Sequence, residues 1–207
     1  MARVLIVANG EWPQSFDVEE NISQFSVLVA LDGATNRLIE LNIIPDVVIG
    51  DLDSIHPDVL EQCNMNGTQI VHDSNQELSD ISKGLGWVKQ HYPDSYSSVV
   101  GIEIGRYDHH LAAYSALFEC KSSAVILLDG WKAQRVDSTP REIKIQPGKL
   151  VSLIPFGTAS GVHLDGCKYP LNHESLSSGT RGVSNEVVNS VITVSVESGD
   201  LLLLVQG

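Results

Sequence analysis

Six short apolar runs alternate with stretches of helical spacing up to residue 130, and from Trp131 onward only strand patterns remain. The runs are "RVLIVAN", "SVLVAL", "DVVIG", "TQIVH", "SSVVGIEI" and "AVILLDG". Between them lie "FDVEENISQF", "ATNRLIELN", "PDVLEQCN" with proline at its start, a helix from Ser79 to His91, and "YDHHLAAYSALFECK". The last carries Leu111, Tyr114 and Phe118 at i, i+3, i+7, the spacing of one helix face. Strands that are apolar throughout are buried on both faces. The alternation therefore predicts a mainly parallel, Rossmann-like α/β domain over residues 1–130. The remainder, 131–207, reads as "KAQRV", "EIKIQ", "LVSLIPF", "GVHLDG", "VITVSVES" and "DLLLLVQ", split by Gly, Pro, Ser and Asp. That pattern predicts an all-β sandwich, with the boundary between Asp129 and Pro140.

Composition narrows the function classes. The formal net charge is −13, which argues against a broad nucleic-acid surface. No apolar run approaches the roughly 20 residues of a membrane helix. The opening "MARVLIVANGEWP" lacks a long apolar core and a small-residue cleavage site, so it reads as a strand. Cys63, Cys120 and Cys167 lie far apart with no CxxC, which predicts neither a disulfide framework nor a structural zinc and fits the cytoplasm.

The ligand crevice of an open parallel sheet lies beyond the carboxyl ends of its strands. Acids gather there in this chain. The second strand runs into Asp32; the third, in "VVIGDLDSI" (47–55), into Asp51 and Asp53; the fourth into Asp73, Glu77 and Asp80; the fifth into Arg106 and Asp108. Asp32, Asp80 or Asp108 alone is explained as a helix N-cap. A cap covers only one of Asp51 and Asp53; two apart at the end of a strand they are expected to share a face, and two carboxylates held together raise each other's pKa unless a positive group stands between them. Clustered carboxylates suit Mg²⁺, which keeps one or two of them and completes its shell with water and substrate phosphates. A metal–phosphate site is the reading this favours. There is no GxxxxGK[ST] and no GxGxxG after the first strand, and "GVSNE" (182–186) is not a nucleophile elbow. His109 and His110 are adjacent on a helix and cannot chelate one ion together; they read as polar residues at a helix start.

Six segments, in order, resemble the thiamine pyrophosphokinase family: "LDGATNRL", "PDVVIGDLDS", "NQELSDISKGL", "GRYDHHL", "GCKYPLN" and "RGVSNE". The resemblance implies transfer of diphosphate from ATP to thiamine, giving AMP and thiamine diphosphate, by a homodimer with active sites between subunits. It implies that Asp51, Asp53 and Asp80 surround Mg²⁺ and the triphosphate, with Asp32 at the same edge and Asp108 near the reacting groups. Arg106, Lys83, Asn36, Gln76 and Ser79 would contact nucleotide or phosphate, and Tyr169, Ser184 and Asn185 would hold thiamine. The proton of the thiamine hydroxyl falls to Asp108 or Asp80. The chain departs from the family pattern at Asn75, Glu77, Ser79, Ile104 and Val183. Two other functions stand beside this one: a diphosphokinase acting on another heterocyclic alcohol such as a pterin, and a non-catalytic thiamine- or nucleotide-binding module.

Overall fold

The computed structural model describes residues 1–103 and 106–207, and every side chain there except that of Glu19. Two compact units divide the chain, Met1–Asp129 and Gly130–Gly207.

The first unit alternates strand and helix: β1 (Arg3–Val7), α1 (Val18–Asn21), β2 (Val27–Leu31), α2 (Ala34–Glu40), β3 (Val47–Gly50), α3 (Pro57–Met65), β4 (Gln69–His72), α4 (Asp80–His91), β5 (Tyr96–Val100), α5 (Tyr107–Glu119) and β6 (Val125–Leu128). The strands pair in parallel in the order β4-β3-β2-β1-β5-β6. Alternate strand residues face opposite ways, so an all-apolar strand serves two cores. Leu5, Val7, Leu28, Ala30 and Val48 pack with Val18, Ala34, Leu38 and Cys63 from α1, α2 and α3. The other face, with Ile6 and Leu31, meets α4 at Gly84, where an added Cβ would come within 2.7 Å of a Leu31 methyl. Glycine there lets α4 lie close on the sheet, and this seats its N-terminus at the carboxyl edge.

Two expectations change in this unit. "FDVEENISQF" makes only the four residues of α1, capped by Asp17 Oδ1 accepting from Glu20 N at 3.2 Å, and a 3₁₀ turn at Ile22–Gln24. In α5 the buried residues are Ala113, Ala116 and Leu117, while Leu111 lies in solvent. Two of the three are alanines, which a search for large apolar side chains passes over, and Leu117 stands off the spacing of Leu111, Tyr114 and Phe118.

The second unit contains β7 (Trp131–Val136), β8 (Arg141–Lys144), β9 (Leu150–Asp165), β10 (Leu171–Ser177), β11 (Asn185–Glu186), β12 (Val191–Ser195) and β13 (Ser198–Gln206). Every pairing among them is antiparallel. "LVSLIPF" and "GVHLDG" are one strand, β9, with positive φ at Gly157 (88°) and Gly161 (64°). Its first half pairs with β13 and β11, and its second half with β10 and β12. The two resulting layers close over Leu153, Val162, Leu164, Leu176, Ile192 and Leu203. Strand β10 escapes the sequence pattern because irregular register between Leu171 and Leu176 puts both leucines inward although they are five residues apart. Strict alternation would have turned one of them out.

Candidate active site

Strand β3 ends at Gly50, so Asp51 and Asp53 do not share a face by pleating. Leu52 between them adopts φ 65°, a left-handed turn, and this turn brings the two carboxylates together. Asp32, just past β2, also has positive φ (40°). One ligand atom from each of Asp32, Asp51 and Asp53 lies within 4.8 Å of the others, so the three can hold a cation between them. Asp32 is 7% exposed, and its buried Oδ1 has no hydrogen-bond partner among the described residues. A buried carboxylate oxygen left without a donor is costly and calls for a positive partner.

Capping does not explain these acids. The N-cap of α2 is Gly33 and that of α3 is His56, neither with a side-chain bond. Ser79 caps α4, its Oγ accepting from Ser82 N at 3.2 Å, which leaves Asp80 uncommitted at the first helical position. Asp80 falls outside the three-carboxylate group and pairs instead with Lys83 Nζ at 3.4 Å. Burial raises the Asp80 pKa, and Asp32 and Asp51 add to this against the opposing pull of Lys83. The Gln76 amide donates to Asp51 Oδ2 at 3.1 Å and holds that pKa down, with Lys83 contributing.

Asp32, Asp51, Gln76, Asp80 and Lys83 line a cleft of about 530 Å³ that also takes in Ser79, Arg106 and His109; Asp53 and Asp108 stand outside its lining. Lys83 is 6% exposed, a buried cation among acids. Arg106 grips Asp108 with two bonds, Nε to Oδ1 at 3.0 Å and Nη2 to Oδ2 at 2.7 Å. The guanidinium holds Asp108 well below the usual carboxylate range. His110 is tied to the Tyr114 hydroxyl at 2.8 Å. Ile104 and Gly105 lie outside the described residues.

The structure moves Asn36 out of the cleft lining. Its Nδ2 donates to Ser54 O at 2.8 Å and its Oδ1 accepts from His56 N at 3.0 Å, so both ends of the amide brace the loop that follows Asp53. Asn9 and Gly10 line the cleft instead, and no sequence argument singled them out. They follow β1, at the place where the strand order reverses between β2 and β5. Gly10 N donates to Gly101 O at 2.7 Å across that reversal. A lone Asn-Gly reads as a turn; only its neighbour β5 makes it a cleft wall.

Gly50 sets the spacing of the acids. A Cβ there would stand 2.8 Å from the Asp32 Cβ. Gly50→Ala is expected to cost about 1–3 kcal/mol of stability through overpacking. Gly86→Ala, in open space on α4, should be neutral or stabilising. Paired thermal melts check this, and equal melting temperatures would contradict the close approach.

In the second unit, Tyr169 is 65% exposed beside a groove of about 460 Å³ lined by Leu164, Leu171, Val183, Lys168 and Arg181. Lys168 Nζ lies 5.9 Å from the Tyr169 ring centre and 3.8 Å from Glu186. Arg181 pairs with Glu174. Asn185 lines the groove but is buried, while Ser184 is exposed with φ 58°.

An open parallel sheet with a polar cleft at its carboxyl edge places the chain among α/β proteins that take a small ligand beyond their strand ends. The particular family follows from comparison with known proteins. The profile of the thiamin pyrophosphokinase catalytic domain matches residues 18–128, and that of the thiamin pyrophosphokinase vitamin B1 binding domain matches residues 139–201. The chain belongs to the thiamin pyrophosphokinase family. It is 28% identical to a thiamine pyrophosphokinase of Bacillus subtilis over 99% of this chain and 98% of that one. It is 33% identical to thiamine pyrophosphokinase 2 of Arabidopsis thaliana over 76% of this chain and 64% of that one. The fold resembles the crystal structure of the Bacillus subtilis enzyme, with a TM-score of 0.80 at 24% identity over 99% of this chain and 98% of that one. It also resembles a thiamin pyrophosphokinase family protein from Enterococcus faecalis, with a TM-score of 0.82 at 19% identity over 100% and 99%.

Proposed function

We propose that this protein transfers diphosphate from ATP to the hydroxyl of thiamine, releasing AMP and thiamine diphosphate. One observation carries the reading: in a chain of this family, Asp32, Asp51 and Asp53 converge beside a buried lysine at the carboxyl edge of a parallel sheet. The first unit, taken as a Rossmann-like nucleotide-binding domain, receives ATP. The second receives thiamine in its groove beside Tyr169. Asp32, Asp51 and Asp53 would hold Mg²⁺, because three hard oxygen donors with an orphaned buried atom among them fit that ion. When bound, Mg²⁺ supplies charge neutralisation at the phosphate oxygens.

Diphosphoryl transfer asks a protein for positioning and charge stabilisation more than for covalent chemistry. Lys83 offers a desolvated positive charge, which acts strongly in a site of low dielectric. Arg106 spends Nε and Nη2 on Asp108 and keeps its remaining N–H groups for phosphate. Asp108 is thereby a weak base that orients Arg106. Asp80, its pKa raised, is the better proton acceptor. As Asp80 takes the hydroxyl proton, the thiamine oxygen attacks the β-phosphorus. The bond from that phosphorus to the oxygen bridging to the α-phosphate breaks, and AMP leaves with that oxygen. Gln76 and Ser79 flank the same cleft and would meet the phosphates.

A homodimer with shared sites is part of the proposal and rests on the family resemblance. A cytoplasmic setting is supported by three free thiols, Cys63, Cys120 and Cys167. No described helix is long and apolar enough to cross a membrane.

The test is incubation with ATP, Mg²⁺ and thiamine, with the products separated by chromatography. AMP and thiamine diphosphate are expected in equal amounts. ADP with thiamine monophosphate would overturn the reading, and ATP binding without AMP release would favour a binding module.

A further inference from the structure

We infer that Asn185 is a positioning residue: it fixes the Tyr169 ring at the groove and does not itself touch the ligand. The inference rests on the reading that this groove takes thiamine. Asn185 is 5% exposed. Its Oδ1 accepts from Tyr169 N at 3.0 Å, and its Nδ2 donates to Tyr169 O at 2.7 Å. One side-chain amide thus satisfies both backbone groups of one residue, in the way a neighbouring strand would.

The ladder explains why a side chain is needed there. Cys167 bridges Val187, and Lys168 N donates to Glu186 O at 2.8 Å. Beyond Lys168 the pairing ends, because Pro170 follows. Proline has no N–H to give and restricts the residue before it to extended backbone. The Asn185 amide continues the pairing across Tyr169. Asn185 is itself held: β11 pairs it with Val151, and Ser184 N donates to Ser152 Oγ at 3.0 Å. A chain of bonds therefore runs from β9 through Asn185 to the backbone of Tyr169. With that backbone fixed, the Cα–Cβ bond that carries the exposed ring is set before any ligand arrives, which leaves only the side-chain torsions to be ordered and lowers the ordering cost at binding. Glutamine at 185 would be too long for this ring of two bonds. Aspartate would lose the donor and set a carboxylate against the Tyr169 carbonyl.

The experiment combines steady-state kinetics of Asn185→Ala, Tyr169→Ala and the double variant with hydrogen exchange at the Tyr169 amide in ligand-free protein. Losing two buried hydrogen bonds is expected to raise the thiamine KM by roughly tenfold, with kcat and the ATP KM little changed. The double variant should be no worse than Tyr169→Ala, since no ring remains to be positioned. Effects that multiply in the double variant would place Asn185 on the ligand and overturn the inference. In the wild type the Tyr169 amide should exchange slowly, and Asn185→Ala or Asn185→Asp should speed it. Fast exchange in the wild type overturns the inference even if every variant folds poorly. The exchange measurement needs no substrate. Slow exchange in a protein that does not turn over thiamine would sink the functional reading and leave the clamp standing.

Discussion

Asp53→Asn is expected to lower turnover by about 10²–10³, the usual effect of removing one charged group that stabilises a transition state. The fold should survive. Asp53 is exposed and, among the described residues, its side chain bonds to Ser54, whose Oγ donates to Asp53 Oδ1 at 2.9 Å; an asparagine oxygen keeps that acceptor. Removing one of three carboxylates within 4.8 Å also relieves repulsion, so the metal-free variant should melt at the wild-type temperature or above it. Added Mg²⁺ should raise the wild-type melting temperature and raise that of the variant less, because binding to the native state is what stabilises it. Loss of activity with undiminished stability is the signature of a functional charge. A variant that turns over at the wild-type rate under limiting Mg²⁺ would return Asp53 to the status of an ordinary loop residue.

The alternation of apolar runs and helices was enough to foresee a parallel first unit and a strand-only second one, because burial on both faces leaves a plain mark on sequence. The pair Asp51 and Asp53 was also visible, but its geometry was not. Spacing suggested a shared strand face, whereas the structure uses a left-handed Leu52, a conformation with no signature in a leucine. Asp32 was legible only as an acid at the same edge. Its place in the group depends on Gly50, a neighbour across the sheet. Asn36 and Asn185 mark a further limit. Motif resemblance points to positions, and says nothing of where an amide aims. Both side chains turn to backbone, at Ser54 and His56 in one case and at Tyr169 in the other. Each braces a segment beside a group proposed to meet substrate.

Mixing Asp53→Asn and Tyr169→Ala subunits should give a dimer more active at low thiamine than either homodimer. In the proposed dimer each site takes its nucleotide cleft from one subunit and its thiamine groove from the other, and two-fold symmetry makes the two sites equivalent. The first variant damages only the cleft; the second damages only the groove. In a mixed dimer one site collects both defects and the other neither, so one intact site of two returns. Tyr169→Ala removes the exposed ring on which a cationic aromatic ligand stacks, a contact of about 0.5–2 kcal/mol. The assay therefore belongs at thiamine concentrations well below KM, where that loss shows fully in rate. Co-expression with two different tags and sequential purification isolates the mixed species. Its activity should far exceed that of the Asp53→Asn homodimer, and its thiamine KM should match the wild type, since the surviving site has an unaltered groove. A mixed dimer with the thiamine KM of the Tyr169→Ala parent would mean that cleft and groove come from one chain. In that case the only competent clefts would belong to subunits lacking the ring. The KM thus decides between the two assemblies even if dimers exchange subunits slowly during the assay.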